Sequence, residues 1–155
     1  ACRQLGKCVH GGVVNEAAEK AASCDALVVG SPVHYAAAPG QITCALDRLF
    51  YSAGSALRYK PAAAVASARR AGTTAALDQL SKYFTINQMP IVSSRYWCMV
   101  HGNTPDEVRQ DEEGMAVMRT LGRNMAWLLR SIEAGRAAGV ELPDQEPPVR
   151  TNFIR

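Results

Sequence analysis

Apolar residues fall into short runs and longer helical stripes that alternate along the chain. Residues 13–23, opening Val13-Val14-Asn15-Glu16-Ala17-Ala18-Glu19-Lys20, are rich in helix formers and predict a short helix. Ala26-Leu27-Val28-Val29-Gly30 is a brief apolar run stopped by Gly-Ser-Pro, and it predicts a strand buried on both faces. Residues 31–39 form a loop bracketed by Pro32 and Pro39. From Gly40 to Tyr51 the positions Ile42, Leu46, Leu49 and Phe50 recur at helical spacing. The cycle then repeats. Pro61 to Ala68 is a second apolar stretch. Alanine favours helix by propensity, yet so short a run, between a proline and a polar Arg-Arg-Ala-Gly turn, predicts a buried strand. Thr73 or Thr74 can N-cap a helix through about Tyr83, with Leu77, Leu80 and Phe84 on one face. Residues 90–94, Pro-Ile-Val-Ser-Ser, predict a third strand.

The last helix has the strongest pattern. Thr104-Pro105-Asp106-Glu107 is a capping box with proline at the first helical position. Val108, Met115, Met118, Leu121, Met125, Leu128, Leu129 and Ile132 keep mostly steps of three and four, so one helix is expected to run to Ala138-Gly139. Trp127 and the methionine stripe are assigned to core. Residues 140–155, with Pro143, Pro147 and Pro148, read as an extended tail. Strand–loop–helix units in series predict an α/β fold, a doubly wound parallel sheet in three α/β/α layers. No repeat or low-complexity linker divides residues 1–155, so a single domain is expected. Three strands are few for such a sheet, and about 40 upstream residues, one strand–helix–strand unit, are expected in the intact protein.

Composition narrows the class. With 155 residues, 48% hydrophobic and 20% charged, the chain is an ordinary globular domain. No apolar run approaches the roughly 20 residues of a membrane span, and the first residues have no apolar signal region. The net charge of +3 does not argue for nucleic acid. Its distribution says more: residues 1–100 hold ten Lys/Arg against five Asp/Glu, and residues 101–155 hold seven against nine. A front two-thirds with positive excess suits a small anionic ligand. Five cysteines, an odd number scattered through apolar segments, do not form a secreted disulfide framework, which leads to a cytoplasmic, reduced setting.

In open α/β sheets, ligands bind where loops leave the carboxyl ends of strands. Two loops are composed for that. In Gly30-Ser31-Pro32-Val33-His34-Tyr35-Ala36-Ala37-Ala38-Pro39-Gly40, prolines fix the path and small residues allow close approach of a flat ligand. His34 and Tyr35 add aromatic surface and donors. In Ser67-Ala68-Arg69-Arg70-Ala71-Gly72-Thr73-Thr74, hydroxyls and two guanidinium groups precede a helix N-terminus, an arrangement suited to an anion. Together they could hold a planar, electron-rich anion; two capped loops with exposed arginines is the other reading.

Ser31-Pro32-Val33-His34-Tyr35, the small residues to Pro39-Gly40-Gln41, and then Ala45-Leu46-Asp47-Arg48-Leu49 resemble the flavin loop of flavodoxin-fold NAD(P)H-dependent FMN reductases, in the branch near the iron–sulfur flavoproteins. Ser67–Thr74 resembles that family's second flavin loop, and Asn152-Phe153-Ile154-Arg155 is also similar. The resemblance implies a flavodoxin-like domain binding FMN through Ser31, Pro32, Val33, His34, Tyr35, Ala36, Ser67, Ala68, Arg69, Arg70, Gly72, Thr73 and Thr74. It implies that the amides of Val33 to Ala36 address the ring's polar rim. NAD(P)H is the implied hydride donor, with a small acceptor such as free flavin or a quinone, and no catalytic side chain is needed because the chemistry is the flavin's own. The family's phosphate loop has no match in the sequence.

The cysteines are weighed separately. The iron–sulfur branch carries a motif resembling Cys-x2-Cys-x2-Cys-x5-Cys. With Cys2 in second place, Leu5 stands where the third thiolate belongs, so no cluster and no metal site are expected. Cys24, Cys44 and Cys98 read as small core residues. Tyr96-Trp97 could wall a ligand or serve packing, and His101-Gly102-Asn103 reads as a turn. The apolar tail residues Val149, Phe153 and Ile154 predict a homodimer or homotetramer, with no nucleic acid or membrane partner. A flavodoxin-like electron carrier without a nicotinamide site, and a cofactor-less α/β module, are the alternative functions.

Overall fold

The alanine-rich run is the middle of the sheet. In the computed structural model, which describes residues 1–154 and every side chain among them but that of Arg3, Ala62–Ala68 forms β2 between β1 (Leu27–Pro32) and β3 (Met99–His101). All pairings are parallel, with Val29 opposite Ala64 and Ala68 opposite His101. The helices are α1 (Cys2–Leu5), α2 (Val13–Ser23), α3 (Gly40–Ala53), α4 (Thr73–Ile86), α5 (Pro105–Gln110) and α6 (Glu112–Ala137), with a 3-10 turn at Gly54–Leu57.

Alanines on β2 let helices approach both faces of the sheet. On one, Val29, Ala62, Ala64 and Ala66 meet Leu46 of α3 and Ala76, Leu77, Leu80 and Phe84 of α4. Phe84 and Leu80 are fully buried, each worth about 1.5–3 kcal/mol. On the other, Ala63, Val92 and Cys98 pack under Leu121 and Met125 of α6. Val14 and Ala18 of α2 pack with Cys8 on Leu49 and Ala53 of α3. The expected α/β architecture is therefore found.

Several local expectations are corrected. β1 is not buried on both faces: Val29 and Ser31 are covered, whereas Val28 and Gly30 are exposed. The third strand is split. The Ala62 N–H donates to the Pro90 carbonyl and the Val92 N–H to the Ala62 carbonyl, both over 2.8 Å. The chain then loops out at Ser93–Trp97 and rejoins the sheet only at Cys98, whose carbonyl takes the Ala66 N–H. The loop is anchored to α6, by the Ser94 hydroxyl on the Val117 carbonyl and by the Asn124 amide on the Ser93 carbonyl. Helix α4 is capped by Gly72 rather than by either threonine. Cys44 and Trp127 are exposed rather than core.

The long last helix is broken in two at Asp111. Thr104 caps α5 as predicted, accepting from the Glu107 N–H. Asp111 then adopts a non-helical ψ of 79° and caps α6. Its carboxylate accepts from the Gly114 N–H at 2.9 Å and from the His101 N–H at 2.7 Å. One carboxylate thus ends α5, starts α6 and holds the end of β3. Asp111→Ala is expected to cost about 2–3 kcal/mol through two charge-assisted bonds, seen as a lower denaturation midpoint with an unchanged slope; an unchanged midpoint would contradict this role.

Candidate functional site

Because the three strands are parallel, their carboxyl ends share one edge, and the loops leaving them converge there. The first two loops are bonded together: the Val33 N–H donates to the Ser67 carbonyl at 3.1 Å. They also touch at Gly72. Its φ is +95°, and a Cβ placed there would lie 2.6 Å from the Ala36 Cα and 2.9 Å from the Val33 Cγ1. Only glycine permits both that conformation and that approach.

After Val33 the chain makes a tight reverse turn. The His34 N–H donates to the Ala37 carbonyl at 2.9 Å, and the Ala37 N–H donates back at 3.1 Å. Tyr35 and Ala36, at the centre, have φ of 50° and 60°, a type I′ geometry in which glycine and asparagine are the usual occupants. The turn is tied to α4 by the Ala38 N–H on the Gln79 side chain. Tyr35 stands fully exposed at its tip. Such strain is sustained by surrounding structure and gathers at ligand sites. Ala36→Gly is expected to relieve about 1 kcal/mol and raise Tm by roughly 2–4 °C; a lower Tm in thermal unfolding would mean that the turn is not strained.

The expected amide set is smaller than the resemblance implied. Val33 and His34 spend their N–H groups on the fold, which leaves those of Tyr35 and Ala36 for a ligand. Ser31 and Thr73 are buried and turned inward: the Ser31 hydroxyl donates to the Pro32 carbonyl, and the Thr73 hydroxyl contacts the Met99 sulfur. Pro32, His34, Arg69, Arg70 and Thr74 are exposed, and Ser67, Ala68 and Gly72 are half-buried between them. The two loops thus meet as one rim.

The reading of His101 as part of a turn is corrected: it is the last residue of a strand. It ends β3 opposite Ala68, and the Gly102 N–H donates to the Ala68 carbonyl, so it stands on the same edge as the arginine loop. Its Nδ1 lies 3.9 Å from the Asp111 carboxylate. Tyr96 and Trp97, edge to face with ring centres 4.8 Å apart, line a cleft with it. The signal was obscured because residues 99–101 are too few to show strand periodicity.

Residues 1–104 match the NADPH-dependent FMN reductase family. The chain belongs to that family. An iron–sulfur flavoprotein of Methanocaldococcus jannaschii is 28% identical over 140 residues, 85% of this chain and 72% of the relative. A second from that organism is 29% identical over 131 residues, 75% of this chain and 65% of the relative. The structure of RosB with bound 8-demethyl-8-formylriboflavin-5′-phosphate superposes with a TM-score of 0.59 at 16% identity, over 90% of this chain and 64% of that one. At that identity the likeness is one of fold, and the fold is flavodoxin-like.

The Asp-Arg pair by which this chain resembles the FMN reductase family proves to be a clamp on α3. Asp47 accepts the Tyr83 hydroxyl of α4, and burial together with that carboxylate pushes the Tyr83 pKa up to about 12. Arg48 donates from Nε to the Cys8 sulfur at 3.2 Å and from Nη2 to the Gly11 carbonyl at 2.6 Å. The Arg48 contact, the His10 N–H and the neighbouring Cys2 thiol lower the Cys8 pKa against a smaller opposing effect of burial. Cys98, buried under α6, is pushed up by desolvation.

Counted from its far end, the iron–sulfur motif fits differently. Cys2 and Cys8 have its final five-residue spacing, and Leu5 is then not a ligand position. Two thiolates remain half of a four-thiolate set. Among the described residues no three His, Cys, Asp or Glu side chains stand together as a metal site. No helix of the described chain is long and apolar enough to cross a membrane. Arg155, at the end of the tail segment that resembles the family, lies outside the described residues.

Proposed function

We propose that this chain binds FMN in the crevice between the 31–37 and 67–74 loops, takes hydride from NAD(P)H and reduces a small acceptor such as free flavin or a quinone. The observation that carries the reading is the contact of Gly72 with Val33 and Ala36, which joins the two loops into one rim at the sheet's carboxyl edge. The family match supports an FMN-dependent oxidoreductase. The flavin phosphate named with RosB supports the ligand class.

Bound FMN supplies the hydride-accepting chemistry. The protein's own groups have other tasks. The free amides of Tyr35 and Ala36 are donors suited to the ring's polar edge, and the strained turn fixes them before a ligand arrives. Arg69 and Arg70 balance negative charge on a reduced ring or a nicotinamide phosphate. Tyr96, Trp97 and His101 line a cleft of their own against α6 at the end of β3. Exposed Val149, Phe153 and Ile154 favour a homodimer or homotetramer as the working form.

An absorption spectrum tests the reading. The purified protein supplied with FMN is expected to show bound-flavin bands that bleach anaerobically with NADPH or NADH. Bands without bleaching would make it an electron carrier, and no bands would end the proposal.

A further inference from the structure

We propose that a groove beside Ala64, between α4 and the Ser93–Trp97 excursion, binds a small neutral planar ring carrying an N–H beside a C=O, as a primary carboxamide or a lactam does. The inference does not depend on the flavin reading.

The ladder on β2 is interrupted at one residue. Successive residues of a strand turn their N–H and C=O groups to opposite neighbours. Pro61 and Ser67 accept bonds from Leu27 and Val33, so the odd-numbered residues of β2 serve β1. The even-numbered ones serve the third strand. Ala62 donates to Pro90 and accepts from Val92, Ala66 donates to Cys98, and the Ala68 carbonyl accepts from Gly102. Ala64 stands between Ala62 and Ala66, at the level where the chain has left the sheet. Among the described residues, none on that side bonds its N–H or its C=O. Ala64 is only 6% exposed. Buried main-chain donors and acceptors are almost always paired, and this residue leaves one of each.

A groove of about 170 Å³ opens at that point. Leu77 and Val92 give it apolar walls, Asp78 and Ser81 of α4 a polar bank, and Trp97 an aromatic end. An apolar cavity of about 150 Å³ is large enough for benzene, so a single six-membered ring fits.

The two main-chain groups select the occupant. The N–H and C=O of one extended residue point the same way, so their complement is a C=O and an N–H side by side on one flat edge. Leu77, Val92 and Trp97 offer apolar surface to the ring behind that edge. A carboxylate is disfavoured, because it has no donor for the Ala64 carbonyl and meets the like charge of Asp78. The chain's own tail does not supply the group, since Gln145 holds it at Gln88 and Tyr59.

The groove is separate from the flavin crevice. Ala64 lies roughly 13 Å back along β2 from Ala68 at the carboxyl edge. Tyr96 and Trp97 line both this groove and the cleft at His101, so an occupant braces the wall that the two share.

Titration of the isotope-labelled protein with benzamide, in the presence of FMN, tests this by nuclear magnetic resonance. The Ala64 amide signal is expected to move saturably, and its hydrogen exchange to slow about tenfold or more. Acetophenone has the same shape without an N–H. It is expected to bind at least about tenfold more weakly, because the Ala64 carbonyl then stays unpaired. Benzoate is expected not to bind. Ser81→Met, which fills the groove, is expected to abolish the benzamide effect. An Ala64 signal that does not move up to the solubility of benzamide shows that water alone serves the two groups, and overturns the proposal. Equal affinity for acetophenone or benzoate, or an effect that survives in Ser81→Met, overturns it as well. If Ser81→Met does not fold, the three probes on the unsubstituted protein still decide.

Discussion

Gly72→Ala is expected to lose both stability and ligand affinity. A methyl group at φ +95° is strained in itself, at roughly 1–2 kcal/mol. Its collision with backbone at Ala36 adds about 1–3 kcal/mol, because the tight turn there cannot yield without breaking its own bonds. The sum, roughly 2–5 kcal/mol, corresponds to a fall in Tm of about 5–15 °C. Flavin affinity is expected to fall at least about tenfold, since separating the loops opens the rim. Gly122→Ala, in the middle of α6 with nothing near its Cβ, is the control and is expected to be neutral or stabilising by up to about 1 kcal/mol. Thermal unfolding beside a flavin fluorescence titration reads both quantities. A Gly72→Ala protein with unchanged Tm and affinity would mean that the loops do not form one site.

The second large effect is expected at Arg69 and Arg70. Both are exposed in the turn between β2 and α4, so neither supports the core. Replacing each by alanine is expected to leave Tm nearly unchanged while weakening FMN binding or NADPH turnover about ten- to a hundredfold. That is the scale of one charge-assisted contact, about 1.5–3 kcal/mol. High salt should reduce the difference between wild type and variant, because the contact is exposed. Variants with wild-type kinetics, or variants that unfold, would show that the arginine loop is structural.

Much of the fold could be read from the sequence where the pattern was long. The stripes of α3 and α4 carried Leu46, Leu49, Leu77, Leu80 and Phe84, all of which are buried. The alanine run of β2 was recognisable because its flanking residues outweighed propensity. The misreadings share one cause, a tertiary contact that local pattern does not encode. Asp111 looks like an ordinary helix-surface acid until the His101 N–H is placed beside it. The third strand was assigned to 90–94 because the sequence does not show that residues 93–97 leave the sheet for α6. At the site, the two loops were legible from composition, and their direct contact was foreshadowed only by Gly72. Which amides stay free was not legible, since the bonds of Val33 and His34 depend on partners elsewhere in the chain.

The excursion at Ser93–Trp97 has an evolutionary consequence. The hydrogen bonds on either side of it, at Val92 and Cys98, close the ladder with β2 whatever number of residues lies between them. Insertions or deletions there would leave sheet register intact, because loop length costs little once both ends are anchored. Tyr96 and Trp97 sit on this segment beside the cleft at His101. The cleft at His101 can therefore be rebuilt while β1, β2 and the 31–37 and 67–74 loops stay as they are. Variation among homologues in the shape of this cleft should accordingly concentrate in the length and aromatic content of this one segment.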